Sequence, residues 1–423
     1  MNELLGSVRD PATALADALA LRRPGYSLPG ELYHDPAYFA LELELLWQRE
    51  WVLAGHVCEL REPGEFLTLT VGTSPLVVVR GHDGEIRALH NVCRHRGSIV
   101  CEAAHGVARR RLVCPYHQWS YELDGRLARA RSIADDVETG ELGLAPAGCE
   151  VVGGLIFVSV ADEPRDVGPL RELVEPYLEA FGLESAKVAH ETTAVEHGNW
   201  KLVVENNREC FHCRSAHPEL CATFPDGTQH SGTGTAEELR ALVAFVDRCE
   251  TLGLPSRFRS APDAQFRAMR LPLVDGARSM TRDGAPAVGR RLGSLGTGDT
   301  GDADVGDMLL YHYPSTWNHF MADHAVTFRI LPVGPMATEL RTTWLVPGDA
   351  VEGRDYDVAR LTEVWEATNR QDTALVERVQ RGVRSPAYRP GPYAPVEEEG
   401  VIQFVDWYAD TLGRRLALGR GDP

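Results

Sequence analysis

The chain has 423 residues, 43% hydrophobic and 25% charged, which suits two or three domains with a substantial core. Its net charge of −18 argues against nucleic acid or an anionic membrane surface as a partner. No apolar run approaches the roughly 20 residues that span a bilayer. Ala12–Leu21 carries Asp17 and is followed by Arg22 and Arg23, unlike a secretory signal, so the expectation is a cytoplasmic protein.

In chain order, residues 1–46 read as a partly helical arm, apolar-rich from Tyr38 onward. Residues 47–163 switch to short β-branched runs, Phe66–Val71, Pro75–Arg80 and Glu85–Val92, separated by turn signals at Gly72–Ser74 and Gly81–Gly84. Leu112–Cys114, Trp119–Leu123 and Gly154–Val160 continue the pattern, predicting an all-β module. Residues 164–423 mix periods. Helices are predicted over Leu170–Phe181, Glu196–Cys213, Glu237–Leu252, Leu361–Val383 and Val401–Leu412. Strands are predicted over Leu309–Tyr313, Val326–Leu331 and Glu339–Val346. Gly293–Asp307, rich in Gly and Asp, reads as a mobile loop. The expected class is α+β, with an antiparallel sheet flanked by helices in the larger domain.

The β module holds a Cys-x-His pair, Cys93 and His95, and a Cys-x-x-His pair, Cys114 and His117. Each pair follows a strand, in a loop rich in Pro, Gly and Arg. Two thiolates on one iron and two imidazoles on the other is the Rieske [2Fe-2S] arrangement. A Cys₂His₂ zinc site is the competing reading. Arg94, Arg96 and Arg109–Arg111 make the surroundings locally positive, suited to docking an acidic or flavin-bearing electron donor.

The second candidate site joins His212, His217 and Asp372. The two histidines would lie about 140° apart on an ideal helix, but Pro218 disfavours helical geometry at His217. Asp372 interrupts the apolar stripe Leu361, Trp365, Thr368, Leu375, Val379, Val383 where Leu or Ile is expected. A buried carboxylate is costly unless paired or bound to metal. Two histidines and a carboxylate form the facial triad of non-haem iron(II) oxygenases. Glu209, on the same face of the predicted helix, would orient a histidine. Cys210 and Cys213 bracket His212 and mimic a redox Cys-x-x-Cys, but their position on the predicted helix reads as packing; the nine cysteines, four of them close to histidines, suggest metal chemistry more than a disulfide framework.

These residues resemble the α subunits of Rieske non-haem iron oxygenases over nearly the whole chain. Glu209–Leu220, Tyr311–His319, Ser385–Tyr393 and Val401–Tyr408 are similar to the branch acting on quaternary ammonium compounds. That branch contains the glycine betaine monooxygenases (demethylases), with carnitine and stachydrine oxygenases as relatives. The resemblance implies a helix-grip catalytic domain over residues 164–423, with the 1–46 arm packed on it and a Rieske domain over 47–163. It implies a [2Fe-2S] cluster on Cys93, His95, Cys114 and His117, and a mononuclear Fe(II) on His212, His217 and Asp372. Glu209 matches an acid that bridges the cluster of one subunit to the iron of its neighbour, in a homotrimer. The resemblance further implies O₂ as cosubstrate and NAD(P)H electrons delivered by a separate flavin/iron–sulfur reductase. The expected reaction is oxidative N-demethylation of a glycine betaine-like substrate to dimethylglycine and formaldehyde. A trimethylammonium group binds aromatic faces, and Tyr311, Tyr313, Trp317 and Phe320 are the expected pocket. Another betaine, ring hydroxylation and amine N-oxygenation remain open, as do a Rieske electron carrier and a zinc-dependent binding module.

Overall fold

The computed structural model describes residues 10–131, 133–134, 136–225, 234–274, 276–296 and 303–419. The N-terminal half carries an antiparallel sheet of seven strands in the spatial order Val52–His56, Leu155–Ser159, Pro146–Val152, Ile86–His90, Ser74–Arg80, Glu65–Val71, His105–Val107. Leu76, Val77, Val78 and Val79 are all buried, so the central strand packs on both faces. A second, three-stranded sheet of Leu112–Val113, Ser120–Tyr121 and Leu127–Arg129 supports one of the two cysteine loops.

The C-terminal half is built on another seven-stranded antiparallel sheet. Its order is Ala186–Glu196, Ala337–Pro347, Ala325–Gly334, Thr316–Phe320, Asp307–His312, Phe266–Leu271, Arg259–Ser260. Strand register sets its two faces. Arg267 pairs with Tyr311, Tyr311 with Trp317, and Trp317 with Phe328; Met269 pairs with Leu309, and Leu309 with His319. These residues share one face, because side chains directly opposite in a ladder point the same way. The long helix Val358–Val383 lies over that face, with Trp365 packed on His319 at 4.5 Å and on Phe328 at 4.9 Å between ring centroids. The opposite face, including Phe266, Met308, Leu310 and Phe320, forms a second core with Leu178 and Phe181.

Several expectations change. The segment predicted as one helix, Glu196–Cys213, is the end of a strand, a helix over Trp200–Asn207 and a turn. Asn199 starts that helix by accepting a hydrogen bond from Lys201 N at 3.0 Å. The strand Ala186–Glu196 escapes the pattern because it is an edge strand with few buried positions. Leu292, Leu295 and Val305 are buried, so both ends of the expected mobile loop are anchored; residues 297–302 lie outside the described residues.

The N-terminal arm is fastened by charge as well as packing. Glu42 and Lys201 are both buried and pair at 2.6 Å. Glu42 also accepts from Trp200 Nε1 at 2.8 Å and from the Tyr408 hydroxyl at 2.6 Å. Burial pulls the Lys201 ammonium below its ordinary pKa, and Glu42 only partly offsets that. The arm, the helix Trp200–Asn207 and the C-terminal helix Glu399–Gly419 thus meet at one carboxylate. Among the described residues no helix is long and apolar enough to cross a membrane.

Candidate metal centres and the cavity at the histidine triad

Cys93 and Cys114 open two loops of the same form. Cys93 N donates to Ser98 O at 2.8 Å and Gly97 N to Cys93 O at 2.9 Å; Cys114 N donates to Trp119 O at 2.9 Å and Gln118 N to Cys114 O at 3.0 Å. The fourth residue after each cysteine is left-handed, Gly97 at φ 73° and Gln118 at φ 59°. The matched loops bring His95 Nδ1 to 3.1 Å from His117 Nδ1. Both cysteines are buried, whereas His95 is exposed and His117 half-buried. The Tyr121 hydroxyl accepts from Arg94 N at 3.0 Å, which leaves its proton for Cys93 Sγ at 3.1 Å. Burial raises the Cys114 thiol, but backbone bonding at Tyr116, Cys93 and backbone bonding at His117 outweigh it and hold it below its ordinary value. Two buried thiols, one predisposed to ionise, and two converging imidazole nitrogens fit a Rieske cluster.

The second site forms where the helix Trp200–Asn207 has ended. Glu209 stands in the turn, not on a helical face as expected, and its carboxylate accepts from the Phe211 and His212 amides. His212 precedes the short helix Cys213–Ala216 and His217 follows it. Asp372 reaches them from the middle of Val358–Val383. His212 Nε2 lies 2.9 Å from His217 Nε2 and 3.2 Å from Asp372 Oδ1, and His217 Nε2 lies 3.0 Å from Asp372 Oδ1. Donor atoms on neighbouring vertices of an octahedron about 2.1 Å from a metal are about 3.0 Å apart, so the triad fits a divalent iron.

The remaining ring nitrogens are held. His212 Nδ1 donates to Glu209 Oε1 at 2.5 Å, and His217 Nδ1 to Gln371 Oε1 at 2.8 Å, while Gln371 Nε2 donates to Glu219 Oε2 at 2.9 Å. Both Nε2 atoms are thereby turned inward. Burial lowers the His212 imidazole, but Asp372 and Glu209 outweigh it and hold it at about 9. Burial raises Asp372, but the two imidazoles hold it below its ordinary value. A divalent ion binding here competes with a proton already shared by the triad. Cys210 and Cys213, expected only to pack, are joined in a disulfide that brackets His212.

A cavity of about 480 Å³ opens on the triad. Phe224, Tyr311, His319 and Trp365 give it aromatic walls, with His319 centred 5.6 Å from Phe224. Of the four expected pocket residues, only Tyr311 lines this cavity. Tyr313 is buried against Phe404 and Trp407 at 5.2 and 5.1 Å. Trp317 stacks on Phe328 at 5.4 Å and borders a smaller neighbouring cavity. Phe320 falls on the opposite face against Phe181 at 5.3 Å, because alternation along Thr316–Phe320 sends it away from His319. Phe224, His319, Trp365 and Gln371 also stand at the site and are not among the expected residues. Trp365 was detectable as the aromatic member of the stripe that Asp372 interrupts, and His319 as the residue two beyond Trp317.

The family described as Rieske [2Fe-2S] domain matches residues 50–139, and the family described as Ring hydroxylating alpha subunit (catalytic domain) matches residues 183–414. The chain is 44% identical to a glycine betaine monooxygenase oxygenase subunit of Chromohalobacter salexigens, over 98% of this chain and 92% of that protein. It is 43% identical to one from Pseudomonas aeruginosa, covering 97% of this chain and 95% of the relative. Among solved structures it superposes on the quaternary ammonium Rieske monooxygenase CntA with a TM-score of 0.71 at 21% identity, covering 94% of this chain and 98% of that one. The two family matches and the near full-length identity show that this chain belongs to the Rieske non-haem iron oxygenases, as a monooxygenase α subunit whose cofactors are a [2Fe-2S] cluster and a mononuclear iron.

Proposed function

We propose that the protein N-demethylates glycine betaine, giving dimethylglycine and formaldehyde. The observation that carries the substrate is the 44% identity, over 98% of the chain, to a glycine betaine monooxygenase subunit. Cys93, His95, Cys114 and His117 hold the cluster, and His212, His217 and Asp372 hold the iron. The division of the chain is an arm over residues 1–46, a Rieske domain over 47–163 and a catalytic domain over 164–423.

The cluster and iron, when bound, supply stored electrons and O₂ activation. The rest is done by side chains. Phe224 and Trp365 offer ring faces to a trimethylammonium group beside the triad. Glu209 and Gln371 fix the two imidazoles. The aromatic walls limit water around the reacting methyl group. In overall balance, one methyl carbon, O₂, two electrons and two protons give a carbinolamine and water. The carbinolamine then splits its C–N bond, releasing formaldehyde, a proton and the tertiary amine.

Electrons come from NAD(P)H through a separate reductase, and the exposed Arg94, Arg96 and Arg109–Arg111 around the cluster loops suit its docking. Dependence on NAD(P)H suits a cytoplasmic location. Glu209 bridges to the cluster of a neighbouring subunit in a homotrimer. Two features support that assembly: Phe211 beside the iron site is 63% exposed, and Tyr116 beside His117 is 57% exposed. Apolar surface of that kind beside both sites suits burial between subunits.

The test is turnover of the iron-loaded protein with a surrogate reductase and NADH, reading O₂ uptake and formaldehyde together. Equimolar formaldehyde from glycine betaine is expected. Formaldehyde from carnitine or stachydrine instead would move the substrate within the branch. Its absence with every quaternary amine would sink the demethylase reading.

A further inference from the structure

Two arginines line the iron-site cavity with no acid paired to either among the described residues. Arg267, on the strand Phe266–Leu271, is 6% exposed. It donates to the Tyr313 hydroxyl at 2.6 Å and to Gln403 Oε1, both neutral, and its Nε has no partner. Arg208, in the turn before Glu209, lies over the Tyr311 ring at 4.1 Å, and its Nε is also buried without a partner. Glu397 and Glu399 border the same cavity, yet neither forms an ion pair with either guanidinium. Gly400 lets the C-terminal helix come so close to Arg208 that a Cβ there would collide with the Arg208 carbonyl, which holds the arginine in place.

Other buried arginines of the sheet are treated differently. Arg329 pairs with Glu339 at 2.9 Å, and Arg341 with Glu59 at 2.5 Å and with Glu191. Arg270 lacks an acid too, but it lies outside the cavity, with Nη1 on Val305 O at 3.0 Å. The unpaired buried charge of Arg267 is costly, and a second cation in the same cavity, the half-buried Arg208, repels it. Burial, then Arg208, pull Arg267 below its ordinary pKa. A carboxylate from outside would relieve both costs, and a guanidinium fork binds that group well.

We infer that Arg267 and Arg208 form the carboxylate anchor of the cavity, so that the enzyme selects zwitterionic betaines over carboxylate-free quaternary amines. This rests on the demethylase reading above and adds the residues that choose among its substrates. The charge layout also orients the ligand. The carboxylate is drawn to the arginines, and the ammonium is drawn to the ring faces of Phe224 and Trp365.

The test compares glycine betaine with its primary amide, which keeps the trimethylammonium group and loses the negative charge. Calorimetric Kd on the holoenzyme and kcat/KM are both read. Wild type is expected to favour the zwitterion by about 10- to 100-fold, the range of charge-assisted hydrogen bonds. Arg267→Met should remove most of that preference by weakening binding of the zwitterion, with the amide changed less than about twofold, and Arg267→Lys should fall between. Equal Kd and kcat/KM for zwitterion and amide in wild type would overturn the anchor, and this arm needs no variant to fold. Equal losses for both ligands in Arg267→Met, with the cluster spectrum retained, would overturn it as well. Formaldehyde from neither compound would instead overturn the demethylase reading itself.

Discussion

The two donor sets are built by opposite means. His95 and His117 are 22 residues apart and meet because two short loops share one backbone hydrogen-bond pattern. His212 and Asp372 are 160 residues apart and meet because a long helix crosses a sheet face. The cysteine loops leave an imidazole exposed, as a proposed electron store would require, whereas His217 is 1% exposed and its triad faces a cavity with aromatic walls. Local backbone geometry suffices for a surface electron store. A site that must exclude water needs distant elements packed on one another, and its accuracy depends on side-chain partners such as Glu209 and Gln371.

The largest expected effect separates the two sets. Cys114→Ser should abolish the visible absorption of the cluster and all turnover while mononuclear iron stays bound. Asp372→Asn should do the reverse, keeping the spectrum but losing the iron and at least about 100-fold in turnover, beyond what an outer partner of a ligand usually costs. Metal analysis and absorption on the same samples decide it. If either variant emptied both sites, they would not be independently built.

That contrast also explains what could be read from the sequence. The convergence of the expected quartet is legible because everything it needs is local: strand, turn residues, candidate donors, strand. Asp372 is legible because a carboxylate in an apolar stripe is anomalous within one helix. The stripe itself drifts, though. Val376 and Gln380 are buried and Val379 is 48% exposed, since the second half of the helix packs by a different set of positions from the one extrapolated. The pocket was largely illegible. Which face of Thr316–Phe320 meets the cavity depends on register with Asp307–His312 and Ala325–Gly334, which no local pattern specifies. The Glu42–Lys201 pair and the arginine anchor were hidden for the same reason.

The next effect tests the dependence on distant packing. Lys201→Met would strand Glu42 in the core, and breaking a buried pair from one side costs about 3–5 kcal/mol. Denaturant unfolding followed by tryptophan fluorescence should show a loss in that range, with mononuclear iron released earlier in the titration than cluster absorption is lost. Adding Glu42→Gln should restore much of it, because the uncompensated charge is gone. Simultaneous loss of both cofactors in Lys201→Met would mean that the cluster loops also depend on the catalytic core.

The smallest effect bears on the local side of the comparison. Gly97 and Gln118 occupy equivalent left-handed positions, so the fold accepts a side chain at one of them. A Cβ on Gly97 would meet nothing within 4 Å, which leaves dihedral strain as the only direct cost of Gly97→Ala. That strain is about 1 kcal/mol for an L residue in this region. The variant should therefore unfold at slightly lower denaturant, by about 1 kcal/mol, with the cluster spectrum intact. A lost spectrum at so small a cost would show that the turn must flex to admit the cluster, a requirement Gln118 would then have to meet in the sister loop with a side chain already in place.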